Sequence, residues 1–383
     1  MEIETKELEE FFKNRYKSNP IVVVSPGRIN LIGEHTDYNG GFVLPAAIDK
    51  AIIVAVKKRN DDRISLYAMQ FEQEYEVSLT SFEKADHHWS NYILGVVDQL
   101  KKRGFLLQGF NLVLGGNIPI GAGVSSSAAV ECATAFALNE LFSLGISKMD
   151  MVKISQKAEH EFAGVNCGIM DQFASMFGKE NHVISLDCRS LDYEYFPIKM
   201  EGLKIVLLDT NVKHSLASTE YNVRREQCEK GVSMLQQKYP SVKLLRDADM
   251  EMLDECVKTD PLIYKRCKFI IEENIRLKDA CKYLAAGDIK SFGKKMFEAH
   301  DAISNEYEVS CKELDFLVDA VREDENVLGA RMMGGGFGGC TINLVKEEAI
   351  PELVQRLSKL YKEKMSLELK HYVIAIKDGT HKL

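Results

Sequence analysis

A glycine- and serine-rich segment that leads straight into an alanine-rich stretch restricts the fold of this chain more than any other feature. Residues 115–138 read GGNIPIGAGVSSSAAVECATAFAL. The glycines let backbone N–H groups approach a ligand closely, and the alanine-rich part predicts a long helix over residues 125–141. Such a helix directs its first N–H groups and the positive end of its dipole at the preceding loop. The segment therefore predicts a phosphate-binding loop in a fold that contains both helices and strands.

This loop differs from the common lysine-containing phosphate loop, because no lysine follows its glycines. The alternative is that the serines only cap the helix, but one serine would suffice for that purpose. Three hydroxyl groups beside glycines favour phosphate binding instead.

A second polar motif, SPGRINLIGEHTDYNGG, occupies residues 25–41. A guanidinium, an imidazole and two carboxylates fall within ten residues, which is a set suited to hydrogen-bonding a polyol and to holding a cation near a phosphate. The alternative is a solvated loop with a local ion pair, since charge clusters of this size also occur without a function. The residues concerned are Arg28, Glu34, His35 and Asp37.

A third motif, MMGGGFGG at residues 332–339, formally contains the G-x-G-x-x-G pattern of dinucleotide-binding folds. That pattern requires a helix directly after its last glycine, whereas here the strand-forming run 340–345 follows. We therefore expect a glycine loop that supports the phosphate loop and not a dinucleotide site.

Two acidic residues flank a predicted break between helices in the segment 158–178. Glu159 precedes the break and Asp171 follows it, so both side chains are expected to face one cleft. A metal ligand and a base would occupy such positions, although isolated acids more often cap helices or lie on the surface.

The length and composition predict two packed domains of the α+β class. The chain has 383 residues, of which 45% are hydrophobic, and this exceeds what one hydrophobic core usually holds. The pattern of strands and helices restarts near residue 200, which predicts domains over residues 1–200 and 201–383 with a cleft between them. The predicted helices cover residues 4–16, 90–102, 125–141, 148–163, 168–177, 220–238, 262–284, 288–304, 310–323 and 347–365, and the predicted strands cover residues 21–24, 51–57, 63–68, 110–114, 182–187, 203–209, 340–345 and 371–376.

Charge and cysteine usage exclude several classes of partner. A net charge of −8 disfavours nucleic acid or an anionic membrane as the main partner. The N-terminal sixteen residues carry charges where a signal peptide is apolar, and no run of residues predicts a membrane span. The nine cysteines lack metal-binding spacing and are expected to be free and mostly buried, which fits a reducing cytosol.

The motifs together resemble those of the galactokinases, a family within the GHMP small-molecule kinases. That family combines a Pro-Gly-Arg-x-Asn-Leu-Ile-Gly-Glu-His stretch, a serine-rich phosphate loop and a late Gly-Gly-Gly-Phe-Gly-Gly loop. The resemblance extends over residues 23–344 and includes CGIMDQF at 167–173 and NVKHSLASTEYNVRREQC at 211–228. The one departure is Val124, where many relatives have leucine, and it leaves the backbone donors of the loop intact.

The resemblance implies a two-domain GHMP kinase architecture, with an N-terminal α+β domain, a ferredoxin-like C-terminal domain and the active site between them. It implies transfer of the γ-phosphate of ATP, with Mg²⁺, to the anomeric hydroxyl of D-galactose, which gives galactose 1-phosphate and ADP and begins galactose catabolism. A kinase for N-acetylgalactosamine or another sugar, and a non-catalytic sensor of galactose and ATP, are the alternatives. We expect a cytoplasmic monomer, with weak homo-oligomerisation as the alternative.

The same resemblance assigns roles to individual residues. Arg28 and Asp171 would be the catalytic pair, and whether Asp171 is a base or only orients the hydroxyl stays open. The sugar would be held by Glu34, His35, Asp37, Gly168 and Tyr221, the nucleotide by Trp89, Gly121, Ala122, Gly123, Val124, Ser125, Ser126 and Ser127, and Mg²⁺ by Ser127 and Glu159.

Overall fold

The structure is a computed structural model that describes residues 4–86, 88–119, 121–212 and 217–383, without the side chains of residues 88 and 217–219. The motifs at 115–138 and 211–228 therefore lie partly outside the described residues. The helices are Thr5–Tyr16 (α1), His88–Lys102 (α2), Ser126–Phe142 (α3), Lys148–Ala158 (α4), Met170–Phe177 (α5), Ala217–Gln236 (α6), Met250–Cys256 (α7), Pro261–Ala285 (α8), Ile289–Ala302 (α9), Lys312–Asp319 (α10) and Ile350–Met365 (α11).

In the described part of the chain the strands form three sheets. The strands are Ile21–Asn30 (β1), Phe42–Val43 (β2), Pro45–Lys58 (β3), Arg63–Ala68 (β4), Gln73–Ser78 (β5), Phe110–Gly116 (β6), His182–Asp187 (β7), Tyr193–Pro197 (β8), Leu203–Asp209 (β9), Val327–Met332 (β10), Cys340–Lys346 (β11), Lys370–Ile374 (β12) and His381–Lys382 (β13). Their orders are β13-β1-β3-β6-β4-β5, β10-β11-β9-β12 and β2-β7-β8. The strand β13 pairs with β1, so the last residues join the sheet that the N-terminal part builds. This mixture of sheets and helices confirms the predicted α+β class.

The alanine-rich helix α3 forms the centre of the N-terminal core. It packs against β1 and β3, and residues around most of its circumference are buried. A helix that is apolar on all sides belongs in a core, and its small side chains permit close packing against the sheet. This packing fixes the helix that follows the serine-rich loop.

The strand β1 is longer than the sequence predicts. We expected it to stop at Val24, but it continues to Asn30 through a register shift between Pro26 and Arg28. A proline, which lacks an N–H group, is accommodated where a bulge interrupts the ladder. Gly27 is required there, because a Cβ atom would lie 2.6 Å from the carbonyl oxygen of Val124. The extension carries Arg28 to the serine-rich loop.

The predicted helix over 148–163 also ends earlier than expected. The α-helix stops at Ala158, and one π-helical turn spans Glu159–Ala163. Such turns are frequent at functional sites, because the wider turn redirects the side chains. The strands β2, β5, β8, β10 and β13 and the helix α7 were not predicted, since these segments are short and lack strong periodicity.

Two remaining predictions concern the state of the cysteines and membrane-spanning helices. All nine cysteines are described and free, and Cys132, Cys228, Cys267, Cys281 and Cys340 are buried. Within the part of the chain that the structure describes, no helix combines the length and apolar character that crossing a membrane would need.

Candidate active site

One cavity of about 250 Å³ collects the residues that the sequence predicts at the catalytic and sugar positions. Its walls come from β1 and the loop after it, the segment from the π-helical turn to the start of α5, the first turns of α6, and the glycine loop between β10 and β11. The lining residues are Arg28, Glu34, His35, Asp37, Glu159, Val165, Cys167, Gly168, Met170, Asp171, Tyr221, Gly334 and Gly335.

Arg28 and Asp171 form a two-pronged ion pair in this cavity. Nε of Arg28 donates to Oδ1 of Asp171 at 2.8 Å, and Nη2 donates to Oδ2 at 3.0 Å. The guanidinium is buried; burial alone would lower its pKa, but the charges of Asp171 and Glu34 raise the pKa above the usual value. Such paired hydrogen bonds fix both orientation and charge. Arg28 therefore stays a cation that holds the Asp171 carboxylate in one position.

The same ion pair is tied to the serine-rich loop. Nη1 of Arg28 donates to the carbonyl oxygen of Gly123 at 2.7 Å, and the backbone N–H of Arg28 donates to Val124 at 3.1 Å. The hydroxyl of Ser125 donates to Oδ2 of Asp171. The sequence did not predict this last contact, because it placed Ser125 only among the nucleotide-binding residues.

The serine-rich loop has a backbone that only certain residues adopt easily. Gly121 and Gly123 have φ angles of +82° and +75°, and Ser125 has +58° at the position that begins α3. Positive φ angles favour glycine. Ala122 and Val124 are buried, whereas Ser126 is exposed and Ser127 is partly exposed. Hence the loop can offer backbone N–H groups and serine hydroxyls, but not the side chains of Ala122 and Val124, to a nucleotide.

Glu34 is held by the glycine loop and by a buried arginine. Its Oε1 atom accepts from the N–H of Gly334 at 2.8 Å and from Nη2 of Arg331 at 2.9 Å. Arg331 is fully buried and also donates to the carbonyl oxygens of Asn30 and Leu31. Since these contacts occupy Oε1, the other oxygen of Glu34 is the one left for a ligand in the cavity.

His35 has protein partners on both ring nitrogens. Nδ1 lies 2.8 Å from the hydroxyl of Tyr38, and Nε2 lies 3.2 Å from the carbonyl oxygen of Gly335. Burial lowers the pKa of His35 to about 4, and the positive charges of Arg224 and Arg331 act in the same direction. The ring is therefore neutral near pH 7. His35 lines the cavity, and its ring centroid lies 5.2 Å from that of Tyr221.

Asp37 and Gly168 meet so closely that only glycine fits. A Cβ atom at residue 168 would lie 1.7 Å from Oδ2 of Asp37, while Oδ1 accepts the N–H of Tyr38 at 2.9 Å. Burial and the nearby charge of Asp171 raise the pKa of Asp37 to about 7. The carboxyl group therefore titrates near neutral pH in the protein without a ligand.

Glu159 lies at the start of the π-helical turn and is nearly buried. Its Oε2 atom accepts from Nε2 of Gln172 at 2.6 Å and from the thiol of Cys167 at 3.3 Å, and Ser127 also donates to the carboxylate. Burial first, and the charge of Asp171 second, raise the pKa of Glu159. A cation bound beside Glu159 would favour the ionised form of this carboxyl group.

The pairing of Glu159 with Ser127 fits a magnesium site. Among the described residues no group of three or more His, Cys, Asp or Glu side chains could hold a metal ion. Mg²⁺, however, usually keeps several waters and takes one or two carboxylates together with substrate phosphates. One carboxylate and one hydroxyl beside a phosphate loop therefore match its requirements.

Tyr221 is among the residues that line the cavity, whereas Trp89 is not. The ring of Tyr221 lines it, with its centroid 5.2 Å from those of His35 and Tyr38. Trp89 lies on α2, and its Nε1 donates to Gln73 on β5 at 2.9 Å. No described contact joins Trp89 to the serine-rich loop, so its role at the adenine stays a prediction.

Several residues that shape the cavity escaped the sequence analysis. Arg331, Tyr38 and Cys167 act on Glu34, His35 and Glu159 respectively. No strand was predicted at residues 327–332, so the only signal for Arg331 in the sequence was a single arginine in the otherwise uncharged run VLGARM, next to the glycine loop. Because a buried charge needs partners, an arginine in such a run indicates a buried ion pair.

Three family models match the chain. The galactokinase galactose-binding signature matches residues 10–58, the GHMP kinases N terminal domain matches residues 91–179, and the GHMP kinases C terminal model matches residues 280–363. The first covers the polar motif at residues 25–41, and the second covers the serine-rich loop together with Glu159 and Asp171.

Curated relatives match over nearly the whole length. The galactokinase of Thermotoga petrophila is 42% identical over 361 residues, which cover 94% of this chain and 99% of the relative. The galactokinase of Clostridium beijerinckii is 42% identical over 382 residues, with coverage of 98% and 97%.

Solved structures give the same picture at the level of the fold. The Lactococcus lactis galactokinase complexed with galactose superposes with a TM-score of 0.94 and 35% identity, covering 99% of each chain. The Methanococcus jannaschii mevalonate kinase has a TM-score of 0.65 at 19% identity, which concerns the fold alone.

Proposed function

Because this chain belongs to the galactokinase family of the GHMP kinases, we propose that it transfers the γ-phosphate of ATP to the anomeric hydroxyl of D-galactose, producing galactose 1-phosphate and ADP. It is an ATP-dependent sugar kinase. The observation that carries the proposal is the Arg28–Asp171 pair, which contacts the serine-rich loop on one side and lines the polar cavity on the other.

The cavity offers a sugar fixed acceptors. The free oxygen of Glu34 and the Oδ2 atom of Asp37 are carboxylate acceptors for sugar hydroxyls, and the ring of Tyr221 provides an apolar face. When the cavity holds the acceptor hydroxyl in line with the γ-phosphate, the entropy of orienting the two reactants is lost on binding. That entropy loss then no longer adds to the activation barrier of the reaction. These residues therefore position the sugar.

Asp171 is the group that would accept the proton of the reacting hydroxyl. Its carboxylate is oriented by Arg28 and by Ser125 within the cavity. As the hydroxyl attacks, a carboxylate within hydrogen-bond reach can take its proton. The Arg28 guanidinium would at the same time offset negative charge that develops on the transferred phosphoryl group.

The nucleotide phosphates would lie against the serine-rich loop. The N-terminal N–H groups of α3 and the loop backbone between Gly121 and Ser127 supply donors there. When bound, Mg²⁺ would neutralise charge on the β- and γ-phosphates. Ser127 and Glu159 are the residues that would hold it.

Product identification tests the proposal. Purified protein would be incubated with ATP, MgCl₂ and a panel of sugars that includes galactose, N-acetylgalactosamine, glucose and mannose, and the products would be analysed by mass spectrometry and ³¹P NMR. We expect ADP and galactose phosphorylated at the anomeric carbon. Faster turnover of N-acetylgalactosamine, or a phosphate on another carbon, would overturn the proposed acceptor; binding of galactose and ATP without ADP formation would overturn catalysis.

Cellular location and assembly complete the proposal. We place the protein in the cytoplasm as a monomer, in keeping with its free thiols. Analytical ultracentrifugation at micromolar concentration would reveal a stable homo-oligomer if one forms.

A further inference from the structure

A chain of hydrogen bonds leads from the sugar cavity into the core of the C-terminal half. It begins at His35, continues through the hydroxyls of Tyr38 and Tyr307, which are 2.7 Å apart, and ends at the thiol of Cys228, 3.3 Å from the Tyr307 hydroxyl. Tyr307 and Cys228 are buried, and Tyr38 is partly buried. Neither tyrosine nor the cysteine has a part in the phosphoryl transfer described above.

The direction of the hydrogen bonds in this chain follows from the contact at its His35 end. The carbonyl oxygen of Gly335 can only accept, so Nε2 of His35 must carry the proton. A neutral ring then has a bare Nδ1, which accepts from the Tyr38 hydroxyl. The Tyr38 oxygen in turn accepts from Tyr307, and the Tyr307 oxygen accepts from the Cys228 thiol. Each of the four side chains donates one hydrogen bond to the next group, so the position of each of these protons is determined.

The chain also connects separate parts of the fold. His35 and Tyr38 belong to the motif after β1, Cys228 to α6, and Tyr307 to the π-helical turn Ile303–Tyr307. Arg224 on α6 donates to the carbonyl oxygen of Tyr307 at 2.9 Å, which holds that turn in position. The ring of Tyr307 packs between Phe269 and His35, with centroids 4.6 Å and 5.0 Å away.

We propose that Tyr38 and Tyr307 are positioning residues that lock His35 as its neutral Nε2–H tautomer and so fasten the sugar-binding motif to the glycine loop. The N–H of Gly334 donates to Glu34, whereas Nε2–H of His35 donates to the carbonyl oxygen of Gly335. Two adjacent residues of the motif thus bind two adjacent residues of the glycine loop. The wall they form faces the sugar, so His35 acts by holding this wall and not by hydrogen-bonding the sugar through a ring nitrogen. The inference rests on the proposed function only in that the sugar binds in this cavity.

The tautomer can be observed without any substrate. Protein labelled with ¹⁵N-histidine would be studied at pH 7 by NMR correlation of the ring nitrogens with the ring protons, and His35→Gln would identify the His35 signals. We expect a neutral ring with the proton on Nε2. A proton on Nδ1, or a doubly protonated ring, would overturn the inference. In Tyr38→Phe the Nδ1 signal should move clearly, because the variant lacks the hydroxyl that donates to this nitrogen; an unmoved signal would contradict the chain.

Kinetics test the consequence for the sugar. We expect Tyr38→Phe to raise the galactose KM by about fivefold to thirtyfold, the scale of one lost buried hydrogen bond, with kcat within about threefold and the ATP KM unchanged. Tyr307→Phe should have a smaller effect, and Cys228→Ala the smallest, because each is one step further from His35. The matched control is Tyr264→Phe, which removes a hydroxyl that donates to Asp254 on the surface.

The outcomes distinguish failure of this inference from failure of the proposed function. Equal effects of all three variants, or a loss confined to kcat, would mean a general packing defect and overturn the inference. If the wild-type protein phosphorylates no sugar, the proposed function fails, while the NMR measurement still decides the tautomer and its dependence on Tyr38. Calorimetric binding of galactose then takes the place of KM.

Discussion

Replacing Asp37 by Asn is expected to make the ligand-free protein more stable while weakening galactose binding. The pKa of Asp37 is raised from 3.8 to about 7 by burial and by the charge of Asp171. In the folded protein the carboxyl therefore resists ionisation that the unfolded chain undergoes freely. Asn keeps the size that fits against Gly168 and the oxygen that accepts the N–H of Tyr38, but it carries no charge.

The magnitude and its sign follow from linkage. Below pH 3.8 Asp37 is protonated in both states, and it costs no stability. As the pH rises from about 4 to about 7, the unfolded chain releases the proton that the folded protein retains, so wild-type stability falls and then levels above pH 7. Each pKa unit corresponds to about 1.4 kcal/mol, which gives an upper limit near 4 kcal/mol. Because Asp37 is partly exposed, screening by solvent reduces this to about 1–3 kcal/mol.

The assay is thermal unfolding of wild type and Asp37→Asn between pH 5 and pH 8.5, at one scan rate, with and without galactose. The variant should gain a few degrees in Tm at pH 8, with a smaller gain at pH 5, and saturating galactose should raise the Tm of the wild type far more than that of the variant. Asp61→Asn is the control, because Arg59 lowers the pKa of that exposed carboxyl to about 2. A gain that does not change with pH, or a variant less stable than wild type at pH 8, would refute the reasoning.

Three further variants test other parts of the site. Ser127→Ala should raise the KM for MgATP while calorimetry shows nearly unchanged galactose binding, because it removes a ligand on the metal side; an equal loss of galactose affinity would contradict this role. Gly168→Ala should raise the galactose KM more than tenfold, since its Cβ displaces Asp37, and wild-type kinetics would be incompatible with that contact. Arg331→Lys should lower the stability by about 1–3 kcal/mol in urea unfolding and raise the galactose KM, because a lysine cannot satisfy the carbonyls of Asn30 and Leu31 together with Glu34. Unchanged stability would remove its anchoring role.

The sequence was informative where local chemistry decides the structure. The glycines and serines before α3 require a particular backbone, and the break before α5 follows from Gly168 and the residues around it, so the loop and the position of Asp171 could be predicted. The end of β1 could not, because Pro26 and Gly27 are typical of a turn and become part of a strand only through the bulge and the packing of Val124.

Contacts between distant residues escaped prediction for a different reason. Arg331 meets Glu34 across 297 positions of the chain, and Tyr307 meets Tyr38 across 269. Nothing in the spacing of a single sequence reports such pairs, since they arise only when the two halves of the fold pack together. The contact of Ser125 with Asp171 was missed because a serine in a phosphate loop is readily explained by the phosphate alone.

The central claim is that Asp171 accepts the proton of the sugar hydroxyl, and the turnover number of Asp171→Asn tests it most directly. Asn retains the size and the hydrogen-bonding shape of Asp in the first turn of α5, but it loses nearly all basicity. With folding checked by circular dichroism and substrate binding by calorimetry, kcat should fall by about 10²–10⁴ while galactose and ATP affinities change little. A folded variant that binds both substrates and turns over at nearly the wild-type rate would contradict the claim.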